Sequence, residues 1–357
     1  MSGGFIVPSG AADDLGVMSI ALALERPEPT GSLPRPRHLA LPSGHRDRLR
    51  LLLTPEQRLA RWGRSSVSPF TVGAGRTVRE LDTGGFIGVY TRRRWGVMAT
   101  DPIAPPEGEA DTIDAALEYL AGESVRPVFA AVADDEPYRA RGLWTTPIAD
   151  DALIDLTDFD LSGKRRASIR HSVSAANRAG LTVAPWSTTV AAQAAEVSNR
   201  WLATKRGGEL GFTLGRFDPT AMDTLDCRVA LDSSGAVVGL VTWHAYDDGR
   251  ARVLDLMRRA PDAPNPTMDL LVAESLRSFA DQGVQTASLG CVPRSHGRLA
   301  ERIYPTTSLR RYKDKFAPRW VPRHLVAPSV RHAPGALVAV AHAYCPSGLL
   351  AAMRHNR

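Results

Sequence analysis

Residues 250–283 read RARVLDLMRRAPDAPNPTMDLLVAESLRSFADQG, and this stretch decides the fold. Its first ten residues are rich in apolar and β-branched types, so they predict a strand. A proline-rich loop follows. Met268, Leu271, Val272, Leu276 and Phe279 then recur at helical spacing, which predicts an amphipathic helix over 267–282. Asn265 stands where it can cap that helix, with Pro266 at its first position. Asp269 falls in the first turn, where the helix dipole favours negative charge. The strand carries Asp255 between apolar neighbours, and a carboxylate there is costly unless paired. The bland reading is a strand-end ion pair or an exposed face; the functional one is a carboxylate held in a cleft. A regular strand points Asp255 and Arg258 to opposite faces. They share one cleft only if a β-bulge lies between them.

Working outward, AVVGLVTWHAY and RARVLDLMRR flank a turn signal at Asp247-Asp248-Gly249, so they pair as a hairpin. Strands are also expected at PVFAAVA, ALIDLTDF, CRVALD and TASLGCV, and a basic turn joins two more in GGFIGVYTRRRWGVM. Helices fall at TIDAALEYLAGES, at TVAAQAAEVSNRWLATKR, and after Thr54-Pro55, where the threonine can cap. The stretch LSGKRRASIRHSVSAANRAGL forms another, with Ser162 as its cap and Gly180 as its stop. Strands alternating with helices give an α/β fold of α+β layers. Two similar halves meet near residue 185, although no direct repeat is visible. The expected divisions are a flexible lead-in over 1–45, units over 46–185 and 186–328, and an amphipathic tail over 329–357 that either lies on a membrane or packs on the domain.

Composition narrows the function. The chain of 357 residues is 43% hydrophobic and 23% charged, as folded globular proteins are. Its net charge of +6 and pI near 9.5 favour an anionic partner such as nucleic acid, phosphate or a membrane surface. Cys227, Cys291 and Cys345 lie far apart without CxxC spacing, which suggests a reducing compartment, no disulfide framework and no metal site. No apolar run approaches the roughly 18–20 residues of a transmembrane helix. No secretory signal opens the chain. A cytoplasmic location, with peripheral contact at the inner membrane face, is expected.

Two basic segments stand out. Lys164, Arg165, Arg166, Arg170 and Arg178 accumulate on one helix with no acid between them. In SLRRYKDKFAPRWVPRHL, Asp314 is the lone acid among basic residues, with Tyr312, Phe316 and Trp320 interleaved. Such a pattern suits a phosphate-rich ligand, or else a solvated basic edge. The nine histidines have no ligand spacing, and His171 and His244 read as structural or surface residues. There is no GxSxG, Walker or GxGxxG motif. Acetyltransferases of the GNAT class present acyl-CoA on a glycine-rich loop between strand and helix, whose N–H groups hold pyrophosphate. Here the loop RRAPDAPNPTM has no glycine, and its prolines lack N–H groups, so acyl-CoA is a poor fit.

Taken together, FDLSGKRRASIRHSVSAANRAGL, GFTLGRFD, YDDGRARVLDLMRRAPDAPNPTMDLL and SLRRYKDKFAPRWVPRHLV resemble the catalytic domain of the MprF-type phosphatidylglycerol lysyltransferases, the DUF2156 family. The likeness runs in order from about residue 65 to 328. It implies two tandem GNAT-like acyltransferase folds and transfer of an aminoacyl group, lysyl foremost, from aminoacyl-tRNA to a hydroxyl of phosphatidylglycerol or a related lipid. No cofactor is implied; aminoacyl-tRNA is the donor substrate, and the partners are that tRNA and anionic phospholipid. By the same resemblance, Asp255, Arg258, Asp269 and Lys313 are the catalytic positions. Lys315, Arg259, Arg311, Lys164, Arg166 and Arg170 would bind substrate. Family members of full length carry an N-terminal multi-span region, and the stretch between SLGCVP and SLRRYKDKF is short here. Two other readings stay open: an acyl-CoA-dependent N-acyltransferase, and a non-catalytic module binding anionic lipid or RNA.

Overall fold

The computed structural model describes residues 53–73, 75–204, 212, 215–294 and 306–344. The expected lead-in, nearly all of the glycine-bearing stretch 206–212 and the tail beyond 344 lie outside the described residues. Helix α1 (Pro55–Trp62) starts with the expected cap: Thr54 Oγ1 accepts the Gln57 N–H at 3.3 Å, and Gln57 Oε1 accepts the Thr54 N–H at 2.8 Å. Such reciprocal caps contribute about 1 kcal/mol. Strands β1 (Thr77–Glu80), β2 (Phe86–Arg92) and β3 (Trp95–Met98) form an antiparallel meander. Helix α2 (Glu109–Gly122) then returns the chain to β4 (Arg126–Val132), which runs parallel to β3. Short α3 (Glu136–Arg139), long β5 (Trp144–Asp155) and α4 (Ala167–Arg178) complete the first half. Gly180, at φ 74°, turns the chain after α4 as expected.

The second half repeats the plan. Edge strand β6 (Thr182–Pro185) and helix α5 (Ala191–Ala203) precede a meander of β7 (Asp226–Leu231), β8 (Val237–Tyr246) and β9 (Ala251–Arg259). Helix α6 (Thr267–Asp281) crosses to β10 (Thr286–Pro293), parallel to β9. Helix α7 (Thr306–Asp314), strand β11 (Arg319–Ala327) and helix α8 (Ala333–Tyr344) follow. The strands join into one mixed sheet in the order β1-β2-β3-β4-β11-β5-β10-β9-β8-β7-β6. The middle of that order is an exchange. β5, from the first half, lies against β10 of the second; β11, from the second, lies against β4 of the first; β5 and β11 pair with each other.

Two local expectations are corrected. Helix α4 does not start on Ser162: a 3-10 turn at Lys164–Arg166 intervenes, and the Ser162 hydroxyl donates to Asp160 instead. Helix α6 begins at Thr267 with Pro266 in the cap position, while the Asn265 side chain accepts from Arg259. The basic block at 308–325 folds as α7 followed by β11, a strand paired on both sides. Pro322 is tolerated there because β4 pairs with β11 only at His324 and Val326, so no ladder bond on that side needs its missing N–H.

The packing follows the sequence pattern. Helix α6 buries Leu271, Leu276 and Phe279 against Trp243, Leu254 and Ala287. Full burial of such side chains contributes about 1.5–3 kcal/mol each. Helix α5 packs Ala194 and Val197 on Leu240, on the opposite face of β8. Helix α8, in the tail, docks Ala336, Leu337 and Val340 on Val97, Val128 and Leu325.

At the exchange sits a buried ion pair. Asp151 of β5 is fully buried and accepts from Arg323 of β11 at 2.6 Å. Its carboxylate also accepts from the hydroxyls of Ser66 and Ser288, each at 2.5 Å. Replacing Arg323 by methionine strands that carboxylate without its counter-charge. The expected loss is about 3–5 kcal/mol of folding stability, measurable by urea unfolding; an unchanged midpoint would show that the pair does not hold the exchange.

Candidate functional site

Strand β9 contains the bulge on which the Asp255–Arg258 question turned. Val241 pairs with Met257 and Trp243 with Leu254, so two steps on β8 oppose three on β9. The hydroxyl of Thr242 fills the irregularity by accepting the Leu256 N–H at 3.0 Å. The extra residue resets the alternation. Arg258 lies opposite Leu240, and Val253 opposite His244, so both belong to the face on which Leu240, Thr242 and His244 stand. Asp255 contacts His244 on that same face. The bulge thus brings Asp255 and Arg258 to one side of the sheet, the side that α5 covers.

Each is held tightly. Asp255 Oδ1 accepts the Gly215 N–H at 2.7 Å, and Oδ2 lies 3.1 Å from His244 Nε2. The Asp255 side chain is only 2% exposed, and that of His244 is 25% exposed. A Cβ on Gly215 would sit 2.0 Å from Asp255 Oδ2, so glycine is what allows the backbone to approach the carboxylate. The His244 ring meets Phe70, of the 3-10 turn Ser68–Thr71, edge-on at 5.3 Å. The Arg258 guanidinium stacks over the Trp201 ring of α5 at 3.8 Å. Such contacts contribute about 2 kcal/mol when desolvated.

Next to this face the sheet forks. β9 and β10 pair in parallel only from Thr286↔Ala251 to Ser288↔Val253, and then part. Gly290, at φ 83°, lies in the register shift of β10 against β5. Helix α7 sends Lys313 into the gap. Its Nζ donates to the Gly290 carbonyl at 2.8 Å and to that of Cys291 at 3.3 Å. An added Cβ on Gly290 would find Lys313 Nζ at 3.6 Å and the Leu254 carbonyl at 3.8 Å, so the ammonium stands where the two strands diverge. Burial lowers the Lys313 pKa to about 8, with Cys291 and Asp151 pulling the other way. Burial and Asp151 push the Cys291 thiol up to about 12, so it is no nucleophile.

The remaining expected residues divide. Asp269, buried at the start of α6, pairs with Lys315 at 2.9 Å, beside the Tyr312 ring. This pair belongs to α6 and the end of α7, apart from the His244 face. Arg259 donates to Asn265 Oδ1 at 3.0 Å and fastens the proline loop. Arg166 and Arg170 donate back to the carbonyls of Asp160, Leu161 and Gly163, so they brace the entry to α4. Lys164 and Arg311 are exposed. Residue-by-residue reading missed His244 and the Asp151–Arg323–Ser288 cluster. The hairpin carried a hint of the former, since His244, three residues before the turn, comes opposite Val253 and near Asp255; nothing in the sequence pairs Asp151 with Arg323. Among the described residues, no group of three or more His, Cys, Asp or Glu side chains is placed to hold a metal ion.

The family model described as "Phosphatidylglycerol lysyltransferase, C-terminal" matches residues 56–327. The chain belongs to this family. It is 30% identical over 265 residues to the lysylphosphatidylglycerol biosynthesis bifunctional protein LysX of Mycolicibacterium vanbaalenii, covering 66% of this chain and 24% of that protein. The chain thus spans about a quarter of the length of the first curated relatives it matches. Two solved structures share its fold at a TM-score of 0.72. One is the C-terminal domain (DUF2156) of a putative lysylphosphatidylglycerol synthetase from Agrobacterium fabrum, 24% identical, covering 83% of this chain and 97% of that one. The other is L-PGS from Bacillus licheniformis, 23% identical, covering 81% and 96%. Family membership and the α/β fold agree with the expectation from sequence.

Two measurements probe the site itself. The unfolded chain keeps the Lys313 proton up to about pH 10.5, whereas the folded chain releases it near pH 8. Unfolding therefore takes up a proton between these values, and stability should rise with pH across that window, by on the order of 3 kcal/mol. Subtracting the urea-unfolding profile of Lys313→Met from that of the parent isolates this rise; identical slopes would exclude a depressed lysine. Separately, Gly215→Ala should push Asp255 off its backbone donor. Its fold should survive while the His244 ring resonances shift in NMR spectra, and unshifted resonances would show that the loop yields instead.

Proposed function

We propose that this chain transfers an aminoacyl group, lysyl foremost, from aminoacyl-tRNA to a hydroxyl of phosphatidylglycerol at an anionic membrane face. The observation that carries this reading is the fork. In an acyl-CoA enzyme the parted strands leave backbone groups open for the donor's extended arm; here Lys313 already takes the Gly290 and Cys291 carbonyls. The proline loop before α6 offers no run of N–H groups for a pyrophosphate. The relatives are named for lysylphosphatidylglycerol biosynthesis and the family for phosphatidylglycerol lysyltransfer, which supplies the substrate class.

The chemistry fits the side chains. A hydroxyl oxygen attacks the ester carbonyl of the aminoacyl group, an oxyanion forms, and the bond to the ribose oxygen of the tRNA breaks. Arg258 and Lys313 supply positive charge for that oxyanion or for the lipid phosphate. A lysine ammonium has three N–H donors and two are taken, so one remains for the substrate. Exposed Lys164, Arg165, Arg311 and Arg319 offer charge to tRNA or to anionic headgroups. No helix among the described residues is long and apolar enough to cross a membrane.

The test is transfer of radiolabel from charged tRNAs, one amino acid at a time, into lipid extracted from phosphatidylglycerol liposomes, with ribonuclease pretreatment as control. Ribonuclease-sensitive labelled lipid is expected, strongest with lysyl-tRNA. Asp255→Asn and Lys313→Met should each lower the rate by about 100-fold or more while keeping the parent fold by circular dichroism. Parent rates in both variants would refute the assignment of the site.

A further inference from the structure

We infer that His244 is the proton acceptor of the transfer step and that Asp255 serves to orient it, an inference that rests on the aminoacyl transfer proposed above. Asp255 is poorly placed to take a proton from a substrate. Both of its oxygens are engaged, one by the Gly215 N–H and the other by His244, and its side chain is 2% exposed. His244 is accessible, at 25%, and its ring is fixed from two directions. Asp255 Oδ2 binds Nε2, and Phe70 meets the ring edge-on. With Nε2–H donating to the carboxylate, Nδ1 carries the lone pair. This is the logic of a nucleophile's base held in one tautomer by a buried acid.

The surroundings suit the task. Facing this side of the sheet, β9 contributes Asp255 and Arg258, β8 contributes Tyr246 beyond His244, and the 68–71 turn contributes Phe70. Burial raises the Tyr246 phenol, so it stays neutral. Asp255 therefore supplies the negative charge that stabilises an imidazolium. Arg258, from the same face, supplies the positive charge that stabilises an oxyanion. The two developing charges of one step meet opposite fixed charges, three residues apart on one bulged strand.

In that step the acceptor hydroxyl gives its proton to Nδ1 as its oxygen bonds to the ester carbonyl carbon. The tetrahedral oxyanion then collapses, the bond to the terminal ribose oxygen of the tRNA breaks, and the imidazolium returns the proton to that oxygen. One ester bond forms and one breaks, and nothing is oxidised or reduced.

The experiment measures kcat and KM for the full chain with lysyl-tRNA and phosphatidylglycerol vesicles, in the parent, His244→Gln and His244→Ala, the last with and without added imidazole. Glutamine can keep the bond to Asp255 but cannot take the proton. The expected result is a kcat lowered by about 10²–10⁴-fold in both variants with KM changed only a few-fold. Imidazole should restore part of the rate in His244→Ala, which a merely structural role for the ring would not produce. Parent kcat in His244→Gln would overturn the inference and leave the transferase reading intact. So would a loss in both variants that imidazole does not relieve. No labelled lipid from the parent chain would overturn both together.

Discussion

The ion pair between Asp151 and Arg323 holds the two halves of the sheet to each other. It joins β5 to β11, the two strands that each half has passed to the other. Burying two charges costs several kcal/mol per ion, and attraction repays this only when the remaining hydrogen-bonding groups are satisfied. Here both carboxylate oxygens accept, one from Arg323 and Ser66 and the other from Ser288, while Arg323 Nε is buried without a partner. Ser66 precedes the 3-10 turn that carries Phe70, and Ser288 is the last residue of β10 paired with β9. A single carboxylate thus ties together the N-terminal turn, both exchanged strands and the root of the fork.

From that joint a line of bonds runs to the site. The Ser288 hydroxyl donates to Asp151 and accepts the Gly290 N–H at 2.8 Å, and the Gly290 carbonyl accepts from Lys313. The corresponding gap in the first half is closed differently. Beyond the parallel pairing of β3 and β4, Thr100 donates to the Ala131 carbonyl at 3.0 Å, and Asp101 takes the Ala133 N–H at 3.1 Å and the Tyr138 hydroxyl at 2.9 Å. Burial raises the Asp101 pKa, and its hydrogen bonds oppose that rise. Short side chains stitch that fork shut, whereas in the second half a cation is held in the opening. The same topology yields one sealed gap and one charged one.

Much of this was legible in the chain because local rules and packing agree. The hairpin turn at Asp247–Gly249 has three consecutive left-handed residues, as its composition demands. The apolar stripe of α6 is the stripe that packs in the core. What escaped was set by partners distant in sequence. Strand β11 is basic and carries Pro322, so its alternation is masked; the β5 ladder along its length gives it strand structure. His244 looked idle because its contact with Asp255 depends on the register of β9 against β8, and Arg258 reaches the same face only through a bulge that a period-two reading cannot place. The condition for Asp255 and Arg258 to share a face was readable; that the chain meets it was not.

Positive charge shows the same divide between what composition announces and what folding does with it. A net charge of +6 suggests a broad cationic surface. Yet Arg323 neutralises Asp151, Arg310 lies over Trp320 and pairs with Asp150, Arg259 fastens its own loop, and Arg166 and Arg170 brace the start of α4. These guanidiniums shape backbone; a planar fork of donors suits that work because it binds carbonyls and carboxylates at several points at once. Lys164, Arg165, Arg311 and Arg319 are left to meet an anion from solvent. The second pool is screened by salt and the first is not. Affinity for any polyanion should therefore fall with ionic strength while the geometry around Asp255, His244 and Lys313 stays fixed.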